Sequence, residues 1–190
     1  MRGSLVRTLC IMMMAFFLVP QAAEAAKKEP ITDKIVFVPH DSRPISSKQT
    51  ADVVQRVGYE VVVPPPELLG NREDWGHPDE LWTWLDTALA QPGVKAAVIS
   101  SDAMIYGSLV GSRKHDYTRG QILARAARFD DLRRAHPKTP LYVFGSIMRT
   151  PRSGEASGHE EPEYYRRYGA DIFRYTVLRD KEEVEGLSRR

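Results

Sequence analysis

The sequence predicts an α/β domain in which parallel strands alternate with helices, and three observations carry that reading. Four short apolar runs rich in β-preferring residues recur along the chain, segments of helical periodicity separate them, and each run stops at a cluster of polar or charged residues. Four βα units in succession imply four parallel strands, because each helical crossover returns the chain to the same end of the sheet. Two architectures satisfy this pattern. One is the first half of a (β/α)8-like barrel, which needs about 250 residues when complete; the alternative is a small doubly wound sheet.

The chain opens with a leader. Arg2 and Arg7 precede an apolar stretch from Leu9 to Val19, and Ala23-Glu24-Ala25 is a small-residue cleavage site. Residues 1–25 therefore read as a Sec-type signal peptide cut after Ala25. That predicts a secreted or periplasmic protein with no stable membrane insertion once the leader is gone, since the apolar stretch is far shorter than the roughly 20 residues of a spanning helix. The single cysteine, Cys10, lies inside the leader. The mature chain then has no disulfide, thiolate metal site or cysteine nucleophile. Cleavage removes two arginines and one glutamate from totals of 27 basic and 25 acidic residues, and so near-neutral a balance gives no reason to expect a nucleic-acid partner.

Residues 26–33 form a flexible entry segment, and residues 34–190 make up the α/β domain. Ile35 to Val38 is a buried strand, halted by Pro39 and followed at once by His40, Asp41, Ser42 and Arg43. Ser46 with Gln49 is a capping-box pattern, Val53, Val54 and Val57 give the next helix its apolar face, and Gly58 ends it. Tyr59 to Val63 is the second strand, stopped by three prolines, and the loop beyond carries Glu67. Pro78 suits a first helical position, with Leu81, Trp82, Leu85, Ala88 and Leu89 at helical spacing.

The third strand lies within Lys95 to Ser100 and delivers Ser101 and Asp102 at its carboxyl end. The connection from Ala103 to Tyr117 is long for a βα loop, where about 2 to 6 residues is usual. Thr118 and Gln121 repeat the capping box, and Ile122, Ala126, Phe129 and Leu132 face the core. Leu141 to Met148 reads as the fourth strand, ending at Arg149. Thr150 to Glu161 has the composition of a surface loop or lid, and a last helix from about Pro162 to Lys181 aligns Tyr165, Tyr168, Ile172 and Tyr175.

Strand ends at the carboxyl side are where α/β folds place their sites. Asp41 and Arg43, one residue apart, share a side of an extended segment and either pair with each other or converge on one ligand. Asp102 has the same address on another strand. In a barrel the two carboxylates stand two strand spacings apart, about 9.5 Å, which is compatible with acid and base work of the inverting-glycosidase kind. Arg43, Arg113 and Arg149 suit polar or anionic groups, Glu67 is a further acid, and Tyr106 can stack or donate a hydrogen bond. His40, His77, His115 and His159 fall in βα loops, but without ligand spacing they predict no metal site. No cofactor is expected, because neither G-x-G-x-x-G nor a P-loop occurs; nor is there a G-x-S-x-G elbow.

Four motifs in order carry a resemblance. They are Val38-Pro39-His40-Asp41-Ser42-Arg43-Pro44; Gly58-Tyr59-Glu60-Val61 with Pro65-Pro66 and Leu68-Leu69-Gly70; Ser100, Asp102, Tyr106-Gly107, Leu109-Val110 and Ser112-Arg113; and Ser146-Ile147-Met148-Arg149. In these the sequence resembles a bacterial family catalogued as domain of unknown function 4127. The resemblance implies a longer protein, of which this chain is an amino-terminal part with its α/β domain incomplete at the carboxyl end. It also marks a departure, Ser108, where the family usually has glycine. The residues together lead to an exported, hydrolase-like enzyme acting on a carbohydrate or other small polar substrate, with Asp41 and Asp102 as acid and base. The same loops equally suit a non-enzymatic sugar or anion binder outside the cytoplasm, or an inactive fragment.

Overall fold

The computed structural model describes residues 33–148, 150 and 161–186. The expected leader, the entry segment up to residue 32, Arg149, residues 151–160 of the expected lid and the tail from residue 187 lie outside them. Strands β1 (Lys34–Val38), β2 (Glu60–Val62), β3 (Val94–Ser100) and β4 (Leu141–Phe144) form one parallel sheet in the order β2-β1-β3-β4. The predicted α/β class is thus what the chain adopts. Its strand order matches the doubly wound arrangement: β2 and β3 flank β1 on opposite sides, whereas successive strands of a (β/α)8 barrel are added on one side.

Alternation along β1 explains why helices cover both faces. Val36 and Val38 point to one face with Ala97 and Ile99 of β3, and there Leu81, Trp82 and Leu85 of α2 (Pro78–Leu89) and Leu132 of α5 (Arg119–Ala135) close over them. Phe37 points the other way, onto Val61 and Ala51 of α1 (Lys48–Arg56). Each large apolar side chain so buried contributes about 1.5 to 3 kcal/mol. Trp82 does more than fill space. Its indole donates to the Met104 carbonyl at 3.0 Å, and its ring meets Phe129 edge-on at 4.7 Å. It thereby locks α2 and α5 onto α3 (Ser101–Tyr106), the short helix that carries Asp102.

Several sequence expectations need correction. Helix α1 begins at Lys48, and no side chain caps it, so the Ser46–Gln49 box does not form. Instead the chain turns through backbone bonds, from Ser46 N to Arg43 O and from Gln49 N to Pro44 O. Val53 and Val57 are exposed, because the helix turns Ala51 and Val54 to the sheet. The long connection after β3 contains two short helices, α3 and α4 (Gly111–Lys114). Strand β4 stops at Phe144, and α6 (Tyr164–Glu185) runs past Lys181. The Thr118–Gln121 capping box, by contrast, is formed in both directions.

Arg125 is the largest surprise of α5. It is 8 % exposed, and it forks onto Asp79 with Nε at 3.2 Å and Nη2 at 2.9 Å while Nη1 donates to the Ile105 carbonyl at 2.9 Å. One side chain thus joins α5 to the start of α2 and satisfies a carbonyl near the end of α3.

Candidate functional site

Beyond Val38 the chain turns at Pro39, and successive side chains part. Asp41 goes inward and is fully buried. Its Oδ1 accepts from the Arg43 amide at 3.1 Å, and its Oδ2 from Arg43 Nε at 2.9 Å and Nη2 at 2.7 Å. This is a structural ion pair that closes the β1 loop. The structure thus does not bring Asp41 together with Asp102, its expected acid and base partner: Asp41 is buried against Arg43, while Asp102 lines a cleft.

His40 points toward the ends of β3 and β4 and gathers the site. Its Nδ1 lies 3.2 Å from Asp102 Oδ2 and 3.0 Å from Ser100 Oγ, its Nε2 lies 3.4 Å from Ser146 Oγ, and its ring meets Phe144 edge-on at 4.7 Å. Each partner is positioned by a local device. Ser100 caps α3 by accepting from the Ala103 amide, which fixes Asp102 in the first turn. After β4, Gly145 passes so close to Ser101 that a Cβ there would stand 2.5 Å from its hydroxyl oxygen. That approach lets the Ser146 amide donate to Asp102 Oδ2 at 2.9 Å while the Ser146 side chain stays on an exposed loop.

Electrostatics fix the roles. Burial works to raise the Asp102 carboxyl, but hydrogen bonds from His40, the Ser146 amide and Ser112, with the nearby His40 charge, outweigh it and hold the group below the ordinary carboxylate range. Asp102 is then ionised at neutral pH. A proton on Nδ1 of the His40 ring suits that carboxylate and Ser100 Oγ alike, and leaves Nε2 as an acceptor toward Ser146. A depressed folded-state value stabilises the fold above the unfolded carboxylate range, and that stabilisation is lost as pH falls through the folded value. We expect the thermal midpoint of the natural chain to exceed that of Asp102→Asn at pH 7, with the gap closing as pH falls below the ordinary carboxylate range. A gap that stays constant over this range would show that the charge of Asp102 is not what stabilises the loop.

A cleft of about 380 Å³ opens beside these groups, lined by Asp102, Ser112, Ser146, Tyr106, Arg113 and His115, with Met148 and Tyr164 at its edge. Of the residues expected at the site, Asp102, Tyr106 and Arg113 come together here. Arg43 is committed to Asp41, Glu67 stands exposed on a 3-10 turn (Pro66–Leu68) away from the cleft lining, and Arg149 lies outside the described residues. Two members were missed as site residues, His40 and Ser146. Each stands two residues beyond a strand, His40 after β1 and Ser146 after β4; His40 belongs to the polar cluster the sequence places at a strand end, but no role was drawn from it. Among the described residues, no group of three or more His, Cys, Asp or Glu gathers in a way that could hold a metal ion.

Ser108 is fully buried, and its hydroxyl accepts from the Gly111 amide at 2.9 Å. It anchors the start of α4 through that bond.

The model of one protein family, described as a protein of unknown function (DUF4127), matches residues 35–190. No curated protein and no solved structure matches the chain.

Proposed function

We propose that this chain, which belongs to the DUF4127 family, carries a serine-dependent hydrolase site that cleaves an ester or amide bond of a small polar substrate, a carbohydrate derivative included. One observation carries the reading: His40 bridges Asp102 at Nδ1 and Ser146 at Nε2, and both of those partners line a cleft. This is the division of roles by which a hydroxyl becomes a nucleophile at neutral pH. Contacts of this kind are often long before substrate arrives, as the 3.4 Å between Ser146 Oγ and His40 Nε2 is.

In the proposed reaction Ser146 Oγ forms a bond to the substrate carbonyl carbon while its proton passes to His40 Nε2. The resulting imidazolium is stabilised by ionised Asp102. It then returns the proton to the departing alcohol or amine as the carbonyl–leaving-group bond breaks, leaving an acyl group on Ser146. Water, deprotonated by His40 in the same way, releases the acid and restores the hydroxyl. The signal-peptide pattern expected at residues 1–25 is consistent with action outside the cytoplasm.

An alkyl fluorophosphonate, which traps activated serines by displacement of fluoride, tests the reading directly. We expect a single phosphonyl adduct on the peptide containing Ser146, formed at least about a hundredfold more slowly in His40→Ala. A folded chain that leaves Ser146 unlabelled, or labels it at the same rate without His40, would defeat the proposal.

A further inference from the structure

The wall of the cleft beyond the three proposed reacting groups has its own construction. His115 is sandwiched between Tyr106, at 4.7 Å and 25° between ring planes, and Tyr117, at 5.9 Å and 18°. Behind Tyr117 the Arg125 guanidinium lies 4.3 Å from the ring centre, itself fixed by Asp79 and the Ile105 carbonyl. A column of four stacked groups thus runs from a buried arginine to the cleft lining, and it holds His115 rigid. The Nδ1 of His115 is buried with no hydrogen-bond partner among the described residues. A proton there would strand a donor, whereas an N–H on Nε2 strands none.

Arg113 shares this wall, two residues from His115. It has an interaction within the chain, and its guanidinium carries five N–H donors. The carboxylate in the lining, Asp102, is occupied by His40, the Ser146 amide and Ser112. The wall therefore offers donors and positive charge, and the acid of the site is spent on its own neighbours.

We propose that Arg113 and His115 form an anion subsite, so that the preferred substrate bears a carboxylate on the acyl side of the bond that is cut. A carboxylate matches the guanidinium fork in shape as well as charge. At about 380 Å³ the cleft is at the small end of ligand pockets, which fits a short diacid monoester better than a long-chain one. This inference rests on the Ser146 reading for its chemistry but not for its binding.

The test compares the mono-4-nitrophenyl ester of succinic acid with the methyl ester of the same compound, using the whole chain. We expect kcat/KM at least about tenfold higher for the free acid, with that preference reduced to near parity in Arg113→Gln. His115→Phe, which keeps the stack and removes the N–H, should lose several-fold of the preference and leave Tyr106 and Tyr117 in place. Equal hydrolysis of the two esters, or an Arg113→Gln variant that slows both alike, would overturn the subsite. Titration with succinate against succinamide, followed by NMR, reads binding without turnover. Succinate binding that depends on Arg113 in a chain that hydrolyses neither ester would support the subsite and overturn the Ser146 chemistry alone; indifference to charge would overturn the subsite.

Discussion

Asp102→Asn is expected to lower kcat for a 4-nitrophenyl ester about a thousand- to ten-thousand-fold while moving the thermal midpoint at pH 7 by only a few degrees. The separation of the two effects follows from geometry. Asp102 Oδ2 receives both the Ser146 amide at 2.9 Å and His40 Nδ1 at 3.2 Å. An asparagine can place its carbonyl oxygen there and keep both contacts, whereas its NH2 group would confront the Ser146 N–H. The substitution thus retains the loop and removes the charge. In the proposed reaction that charge matters most when His40 becomes an imidazolium, so its loss falls on the transition state. A ten-thousand-fold loss corresponds to about 5.5 kcal/mol of barrier. Were Asp102 only a staple for the β4 loop, Asn would serve nearly as well, and a change in kcat of less than about tenfold would sink the catalytic reading. Ester hydrolysis by Ser146→Ala, followed alongside, reports how much rate the rest of the cleft supplies without a nucleophile.

How much of this could be read beforehand depends on which interactions are local. The runs Ile35 to Val38 and Ala96 to Ile99 announce buried strands because the signal lies within a few residues, and α2 announces itself through Leu81, Leu85 and Ala88 for the same reason. Helix α1 misleads since Val53 and Val57 add to the apolar count but face solvent, while Ala51 and Val54 meet the sheet. Arg125 is invisible because charge is normally read as surface, and its burial depends on Asp79 and Ile105, which come from other elements. The site fails in a similar way. Asp102 lies just past β3, where strand-end reasoning looks, but His40 and Ser146 are 106 residues apart, and only the tertiary fold sets one ring between Asp102 and a hydroxyl. Asp41 and His40 are neighbours that part in direction. Which of two neighbours turns inward after Pro39 is decided by the Arg43 pair, which sequence spacing allowed without selecting.

Gly76→Ala is expected to destabilise the chain by about 3 kcal/mol, the upper end for overpacking, lowering the thermal midpoint by about 6 to 12 °C. A Cβ at Gly76 would fall onto the Gly70 amide nitrogen and the Leu68 carbonyl oxygen, and within 2.7 Å of the Leu69 carbonyl carbon. All three are backbone atoms, so no rotamer change relieves the overlap. The surrounding loops cannot easily retreat either. Gly70 donates to Gly107 O at 3.0 Å and accepts from Ser42 N at 2.8 Å, and Leu109 N donates to His40 O at 3.1 Å. The loops after β1, β2 and β3 are thus interlocked through their backbones, and His40 is held by that interlock. Gly58→Ala supplies the contrast: its φ of +98° disfavours a side chain, but nothing lies within 4 Å, so only the conformational cost of about 1 to 2 kcal/mol remains. The stability ranking should therefore put Gly76→Ala well below Gly58→Ala in thermal unfolding. The Gly76→Ala molecules that remain folded should also label more slowly at Ser146, because displacing the Gly70 backbone pulls on the strand-end loop that sets His40. Equal midpoints for the two alanine variants, with labelling undiminished, would mean that the three loops are independent and that His40 owes its position to its side-chain contacts alone.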